Sequence, residues 1–203
     1  MDVKATSNGA GTRNLTFTTA GAGERLVAFV ASDGPPASAS QTVTVSGGGL
    51  AWSLVKRANT RFGTAEIWTA AAAAKLTNAV LTSTQSASGF HQSLTIVAFI
   101  GSGGIGASAI NSGATGAQSV SLTTTGANSL VYGVGDDWDN AIARTLGAGQ
   151  TLQSQNLAPS GDTFWVQSQT SPVAAAATLV TLTDTAPTTD QWNYAAVEIL
   201  SLP

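Results

Sequence analysis

Acidic and amide side chains crowd into one short segment, 135-GDDWDNA-141, which directly follows an apolar run. Asp136, Asp137 and Asp139 offer carboxylate oxygens, and Asn140 adds an amide oxygen. Proteins hold calcium with about six to eight oxygens of these kinds, so the three aspartates are candidate Ca²⁺ ligands. The spacing is not that of an EF-hand loop, and a solvated turn held by side-chain-to-backbone hydrogen bonds is the alternative interpretation.

One tryptophan, Trp138, lies inside this acidic segment, where a role in the core is awkward. Indole rings beside carboxylates and amides can bind sugars, because the ring faces stack on C–H groups while the polar groups hydrogen-bond to hydroxyls. Trp138, Asp137 and Asn140 are therefore predicted to contact a carbohydrate. The alternative is that the indole packs beneath a loop.

Two further tryptophans have polar neighbours on the same strand face, since alternate residues of a strand point the same way. In 64-TAEIWTA-70, Trp68 shares a face with Glu66. In 162-DTFWVQS-168, Trp165 shares a face with two uncharged polar residues. Trp68 and Trp165 are thus also predicted ligand contacts, and covering a sheet edge is the alternative role for both.

The segment 101-GSGGIG-106 fits the G-x-G-x-x-G pattern of dinucleotide-binding loops. Such a site needs a helix that begins at the glycines and an acid about 20 residues further on. Ser, Asn, Gly and Thr interrupt any helical pattern after Gly106, and the next acid is Asp136. The pattern therefore does not predict a nucleotide site.

No group of residues in the sequence forms a recognisable catalytic set. The single histidine, His91, lies in the polar turn 86-SASGFHQS-93, and no G-x-S-x-G nucleophile motif is present. A glycosidase would need two paired carboxylates, and nothing in the sequence pairs Glu66 with Glu198. We expect a protein that is not an enzyme.

Composition favours an extracellular or particle-surface protein. Only 9% of the residues are charged, against about 25% in ordinary soluble domains. The absence of cysteine excludes disulfides and thiolate metal sites. No segment has the pattern of a signal peptide or of a membrane span, and no basic run is dense enough to indicate nucleic-acid binding.

Charge is divided unevenly along the chain. Residues 1–103 carry seven bases and four acids, whereas residues 104–203 carry one base, Arg144, and seven acids. Oppositely charged halves of neighbouring copies can attract each other, so a head-to-tail homo-oligomer is one interpretation of this imbalance. The alternative is that the imbalance has no role.

The chain contains an internal repeat. The segments 15-LTFTTAGAGERLVAFVASD-33 and 120-VSLTTTGANSLVYGVGDDWD-139 share a Thr-rich strand, a turn with Gly and Ala, and an apolar strand that leads into Asp. Later segments match in the same order. The pattern predicts one domain, the whole chain, with two similar six-strand repeats, about 12–102 and 117–202, and a linker over 103–116.

Alternating apolar and polar residues between Gly, Pro, Asn and Ser predict many short strands and no long helix. The segments with this pattern are 14–19, 25–32, 41–46, 51–58, 64–71, 78–84, 92–100, 119–124, 129–135, 150–157, 162–169, 177–184 and 192–200. This arrangement predicts an all-β fold, an antiparallel β-sandwich that is jelly-roll-like.

Three runs are apolar on both strand faces and are expected to be central strands: 25-RLVAFVAS-32, 93-SLTIVAFI-100 and 193-NYAAVEIL-200. The two repeats could form two small sandwiches or one sandwich with a shared core. The small number of apolar strands in each repeat favours a shared core.

Three segments of the second repeat, 131-VYGVGDDWDNA-141, 161-GDTFWVQSQ-169 and 183-TDTAPTTDQWNYAAVEIL-200, resemble β-sandwich modules attached to large multidomain secreted bacterial proteins. The resemblance implies an accessory, extracellular, non-catalytic role, and it carries over no functional residue.

These observations predict a non-catalytic extracellular binding or adhesion module whose ligand is a carbohydrate or cell-surface glycan. The alternative function is a self-assembling structural subunit of a surface layer, fibre or virion.

Overall fold

The computed structural model describes residues 3–202, and every regular element in that range is a β-strand. We call residues 3–101 the first half and residues 102–202 the second half. The strands of the first half are β1 (Val3–Ala10), β2 (Arg13–Phe17), β3 (Glu24–Ser32), β4 (Val43–Gly47), β5 (Ser53–Ala58), β6 (Thr64–Ala72), β7 (Ala79–Gln85) and β8 (His91–Phe99). Those of the second half are β9 (Ser102–Gly113), β10 (Ser119–Thr123), β11 (Leu130–Asp137), β12 (Thr145–Leu146), β13 (Gln150–Leu157), β14 (Thr163–Gln169), β15 (Leu179–Ala186) and β16 (Trp192–Ser201).

The strands form four antiparallel sheets. Each half has one five-stranded sheet, with the orders β1-β8-β3-β6-β5 and β13-β14-β11-β16-β9, and one three-stranded sheet, with the orders β2-β7-β4 and β10-β15-β12. Adding eight to each strand number of the first half gives the order of the second half. The all-β, antiparallel, sandwich-like prediction is confirmed.

Three apolar clusters hold the four sheets together. The central cluster joins the two five-stranded sheets and includes Phe29 and Ile67 from the first half and Tyr132 and Val197 from the second. The other two clusters each join a five-stranded sheet to the three-stranded sheet of the same half. Each half therefore has its own core, and the two halves also share a third.

The central strands are apolar on both faces because each face lies in a different core. In β3, Val27 and Phe29 point into the central cluster, while Leu26, Ala28 and Val30 point into the outer core of the first half. The same alternation runs through β8 and β16, and all three strands have neighbours on both sides. The prediction that these runs are central strands is confirmed.

The thirteen predicted strands are present within a few residues of their expected bounds, and three further strands appear. Residues 103–116, predicted as a linker, lie largely in β9, which pairs with β16 at the edge of the sheet. Strands β1 and β12 were also not among the predicted segments, so the first half has eight strands where seven segments were predicted, and the second half has eight where six were predicted. Edge strands pair on one side only, so they need little of the apolar patterning on which sequence prediction depends.

Residues 3–202 contain no helix that is long and apolar enough to cross a membrane.

The last glycine of the 101-GSGGIG-106 pattern has a structural role. Gly106 lies where the pairing of β9 with β16 shifts register, and the Glu198 carboxylate occupies the space that a Cβ atom would need. That carboxylate accepts hydrogen bonds from the backbone N–H groups of Ala107 (2.8 Å), Thr125 (2.9 Å) and Gly126 (3.0 Å). Burial alone would raise the pKa of Glu198, but these hydrogen bonds outweigh it and lower the pKa to about 2.

We expect Gly106→Ala to destabilise the protein by about 2–3 kcal/mol, because the new methyl group would collide with the Glu198 carboxylate and the Thr125 hydroxyl. Urea unfolding measures the change. The control is Gly21→Ala, whose methyl group would lie an ordinary 3.8 Å from the Glu24 carboxylate and should cost little. Equal midpoints for the two variants would show that the contact at Gly106 is relaxed without cost.

Candidate functional site

The loops of both halves meet at one end of the molecule, which we call the loop end. Strands β3 and β11 both finish there, at Ser32 and Asp137. The two halves are joined by the Asn193 side chain, which accepts a hydrogen bond from the Arg61 N–H (3.0 Å) and donates one to the Phe62 carbonyl (2.9 Å). Loops at the end of a rigid sandwich are common positions for binding residues.

Two aromatic rings, one from each half, lie at the surface of the loop end. Phe62 and Trp138 meet edge to face, with ring centroids 4.9 Å apart and planes at 80°. Both side chains are partly buried, and Arg61, Asp139 and Asn140 beside them are exposed. The pair provides apolar ring surface surrounded by charged and amide groups.

The loop that carries Trp138 is held by hydrogen bonds to Asp190 and Gln191, which lie between β15 and β16. The Asp139 carboxylate accepts from the backbone N–H (2.7 Å) and the side-chain amide (3.1 Å) of Gln191. The Asn140 amide donates to Asp190 (2.8 Å). These bonds fix the position of the indole before any ligand arrives.

The three aspartates of the predicted calcium site do not converge. Asp136 and Asp137 are successive residues of β11 and point to opposite faces of the sheet. Asp137 pairs with Arg144, and Asp139 is bound to Gln191. Within residues 3–202, no group of three or more acidic or histidine side chains is arranged to hold a metal ion. The predicted site is therefore not formed by these residues.

Asp136 lies instead in a buried acidic cluster between the two halves, together with Asp33 and Asp162. Burial raises the pKa of Asp136 well above its usual range, and the charges of Asp162, Asp33 and Asp137 raise it further. Burial also raises the pKa of Asp162 to about 7, although a hydrogen bond from Ser160 opposes the shift. The folded protein therefore keeps protons on these two carboxyls to a higher pH than an exposed aspartate would.

The backbone makes room for this cluster at Gly63. Its φ of 72° is in the left-handed region, and the space that a Cβ atom would occupy is filled by the Asp136 carboxyl and the Ser32 carbonyl. A glycine is therefore required where the first half approaches Asp136.

Trp165 and Asp137 are not at the surface, contrary to their predicted roles as ligand contacts. Trp165 is 1% exposed, and its ring lies over Gly135, where a Cβ atom would collide with it. The Arg144 guanidinium lies 4.9 Å from the centre of the indole and 2.7 Å from the Asp137 carboxylate. Trp165 is buried because Gly135 leaves space for its ring, a relation that strand alternation alone does not reveal.

Trp68 is partly buried and part of the first half's packing. Its indole N–H donates to the Glu66 carboxylate (3.0 Å), which Arg57 also binds at 2.7 Å. The ring packs against the outer core of the first half. The prediction that Trp68 and Glu66 share a strand face is confirmed, but the two side chains hydrogen-bond to each other.

Sequence reasoning missed Arg61, Phe62 and Arg144. The first two lie in a five-residue loop between β5 and β6, and nothing in the sequence connects that loop to Trp138, more than 70 positions away. Arg144 is the single base of the second half, among seven acids. That imbalance could have indicated that Arg144 pairs with one of them.

A concave region lies at the opposite end and is lined mainly by apolar residues, among them Phe99, Ile100, Leu130 and Pro172. No ionisable side chain lines it. Its polar side chains, Ser102, Asn128 and Ser201, are uncharged, whereas the loop end combines two aromatic rings with charged and amide groups, so we take the loop end as the candidate site.

No protein-family model, curated protein or solved structure matches this chain.

Proposed function

We propose that this chain is a non-catalytic carbohydrate-binding module of an extracellular protein and that it binds its glycan at the loop end. The observation that carries the proposal is the Phe62–Trp138 pair, which brings one aromatic ring from each half to the same surface. Among the predicted contacts, Trp138 and Asn140 retain their roles as ligand contacts in this proposal.

The physical basis is the match between this surface and a sugar ring. Sugars combine apolar C–H faces with a rim of hydroxyls, and aromatic rings flanked by amides and charges satisfy both. The loop end has the rings of Phe62 and Trp138, with Asn140, Asp139 and Arg61 exposed beside them. Because hydrogen bonds already hold the Trp138 loop, ordering it on binding costs little conformational entropy.

We also propose that each half is a jelly roll and that the two arose by internal duplication. An eight-stranded order in which strands 1, 8, 3 and 6 face strands 2, 7 and 4 is consistent with a jelly roll, a double-sheet arrangement used by lectins and viral capsids. The identical order in the second half supports duplication. When two such halves pack through their five-stranded sheets, the loops that follow corresponding strands, such as β3 and β11, lie at the same end of the molecule.

A second function, a self-assembling structural subunit, has one supporting observation. Strand β9 is a 12-residue edge strand without charge or proline, and Ile110 within it is 45% exposed. Edges of this kind pair readily with other chains. Light scattering distinguishes the functions, because the assembly subunit forms defined oligomers, whereas the binding module remains a monomer.

Replacing Trp138 with alanine is expected to weaken polysaccharide binding by at least about tenfold, because a central aromatic contact carries much of the energy of such a surface. Affinity is measured by isothermal titration against a panel of soluble plant and bacterial polysaccharides. The matched control is Trp68→Phe, which changes a partly buried indole away from the loop end. Unchanged affinity in Trp138→Ala, with thermal stability retained, would refute the proposed site.

A further inference from the structure

The accessible charge of the first half is entirely positive. All of its acids within the described residues, Glu24, Asp33 and Glu66, are buried. Asp2 lies outside the described residues. Of the seven bases, Arg57 is paired with Glu66. The remaining six are at least partly exposed: Lys4, Arg13, Arg25, Lys56, Arg61 and Lys75.

The second half carries its negative charge inside. Six of its seven acids are buried, and so is its one base, Arg144. Asp139 is the one exposed acid anywhere in residues 3–202. The formal net charge of the chain is −3, yet within residues 3–202 the accessible charges outside the Arg57–Glu66 pair are six cations and one anion. At contact distance, this surface therefore favours an anionic group over a cationic one.

Arg61 is the cation that lies at the proposed binding surface. It precedes Phe62, and the Asn193 side chain holds the backbone on both sides of the peptide between them. The Arg61 side chain is exposed and forms no ion pair with any residue that the structure describes. Asp139, the nearby acid, is occupied by its two hydrogen bonds from Gln191. The guanidinium is therefore free to bind an incoming anion, and its fork matches a carboxylate.

We infer that the ligand is an acidic polysaccharide. Arg61 binds a carboxylate of this polysaccharide, while one of its sugar rings stacks on Phe62 and Trp138. This inference rests on the proposed carbohydrate-binding function and specifies the class of glycan. Arg61 is then a residue that determines specificity between acidic and neutral glycans.

Charge density favours an acidic glycan over nucleic acid. Double-stranded DNA carries one charge per about 1.7 Å of its length and selects dense basic surfaces. Here the six exposed cations are distributed over residues 4–75, and no two of them are adjacent in the sequence. Single strands need several exposed aromatic rings for successive bases, and the loop end offers one pair. A polymer with many hydroxyls and widely spaced carboxylates fits this surface better.

The test is isothermal titration of the full chain with three polymers: polygalacturonate, neutral dextran and duplex DNA. We expect polygalacturonate to bind, and its affinity to fall with added NaCl because an ion pair is screened. Arg61→Gln should weaken that binding by about tenfold or more. The matched control, Lys75→Gln, removes the same charge from an exposed loop at the opposite end and should change affinity less than about twofold.

Each other outcome has a defined meaning. Equal, salt-insensitive binding of dextran and polygalacturonate would overturn this inference and leave the proposed function standing. Equal losses in the Arg61 and Lys75 variants would overturn the role of Arg61 in specificity. Tighter binding of DNA than of polygalacturonate would overturn the choice of partner. No binding of either polysaccharide would refute the inference, and no binding across the wider panel would refute the proposed function itself.

Discussion

Replacing Arg144 with methionine is expected to lower the free energy of unfolding by about 3–5 kcal/mol, which is the usual cost of removing one partner of a buried ion pair. The Arg144 side chain is fully buried and lies 2.7 Å from the equally buried Asp137 carboxylate. It also stacks over Trp165 and lies close enough to Asp184 to lower the pKa of that carboxyl. Methionine fills much of the volume of arginine, so the lost stability would come mainly from removing the charge.

Two variants separate the charge effect from packing. Arg61→Met removes an exposed cation and should change stability by less than about 0.5 kcal/mol. Adding Asp137→Asn to Arg144→Met removes the uncompensated carboxylate and should recover part of the loss. The measurement is urea unfolding at neutral pH. A loss below about 1 kcal/mol in Arg144→Met would show that the ion pair is not a main support of the second half.

The protein is also expected to lose stability as the pH rises from about 5 to 8, by at least about 3 kcal/mol. Burial raises the pKa values of Asp162 and Asp184 from 3.8 to about 7, and it raises that of Asp137 to about 6. The positive charge of Arg144 opposes this rise at Asp184 and Asp137. Burial also raises the pKa of Asp136 well above 3.8.

The sign follows from proton binding. Between a pH of 3.8 and about 7, the folded state binds more protons at these carboxyls than the unfolded state. Their stabilising protonation is complete below 3.8 and is lost as the pH rises through the folded pKa values. Glu198 acts in the opposite sense, because its pKa is lowered from 4.5 to about 2, so its stabilisation is complete above 4.5 and is lost as the pH falls from 4.5 through about 2. Stability should therefore be highest near a pH of about 4–5.

Urea midpoints at several pH values test this profile. Asp162→Asn keeps the shape of the side chain but cannot ionise, so its profile should be flatter and its stability higher than that of the wild type at a pH of about 8. Thr12→Ala alters an exposed, uncharged side chain and should leave the profile unchanged. A midpoint that rises steadily from pH 5 to 8 would contradict the account of the buried acids.

The strands could be predicted because a strand buried on one face has apolar residues at alternate positions, and a strand buried on both faces has them at successive positions. The run 25-RLVAFVAS-32 fills two cores, and its lack of polar alternation shows this. Strand β9 could not be predicted in the same way, because an edge strand of Gly, Ser and Ala carries no such record. The Gly-rich stretch forms an edge strand and not the helix that a dinucleotide loop needs, and its role as a strand depends on Glu198 and on the partner strand β16.

The site was predicted less well because burial of a charge is decided by tertiary contacts. The segment 135-GDDWDNA-141 resembles an exposed acidic loop, yet Asp136 and Asp137 still belong to β11 and are covered on opposite faces. The charge imbalance of the halves predicted mutual attraction, but the acids of the second half are mostly inside. Trp138 was identified from its polar surroundings, whereas Phe62 and Arg61 join it only through the packing of the two halves.

The most direct test of binding at the loop end uses the five tryptophans as probes. Each indole N–H gives its own signal in a two-dimensional NMR spectrum, and polygalacturonate can be titrated into labelled protein. We predict that the Trp138 signal shifts with added ligand, while those of the buried Trp165 and Trp192 stay in place. A shift at Trp68 or Trp52 with Trp138 unmoved would contradict the central claim that the glycan binds where the loops of the two halves meet.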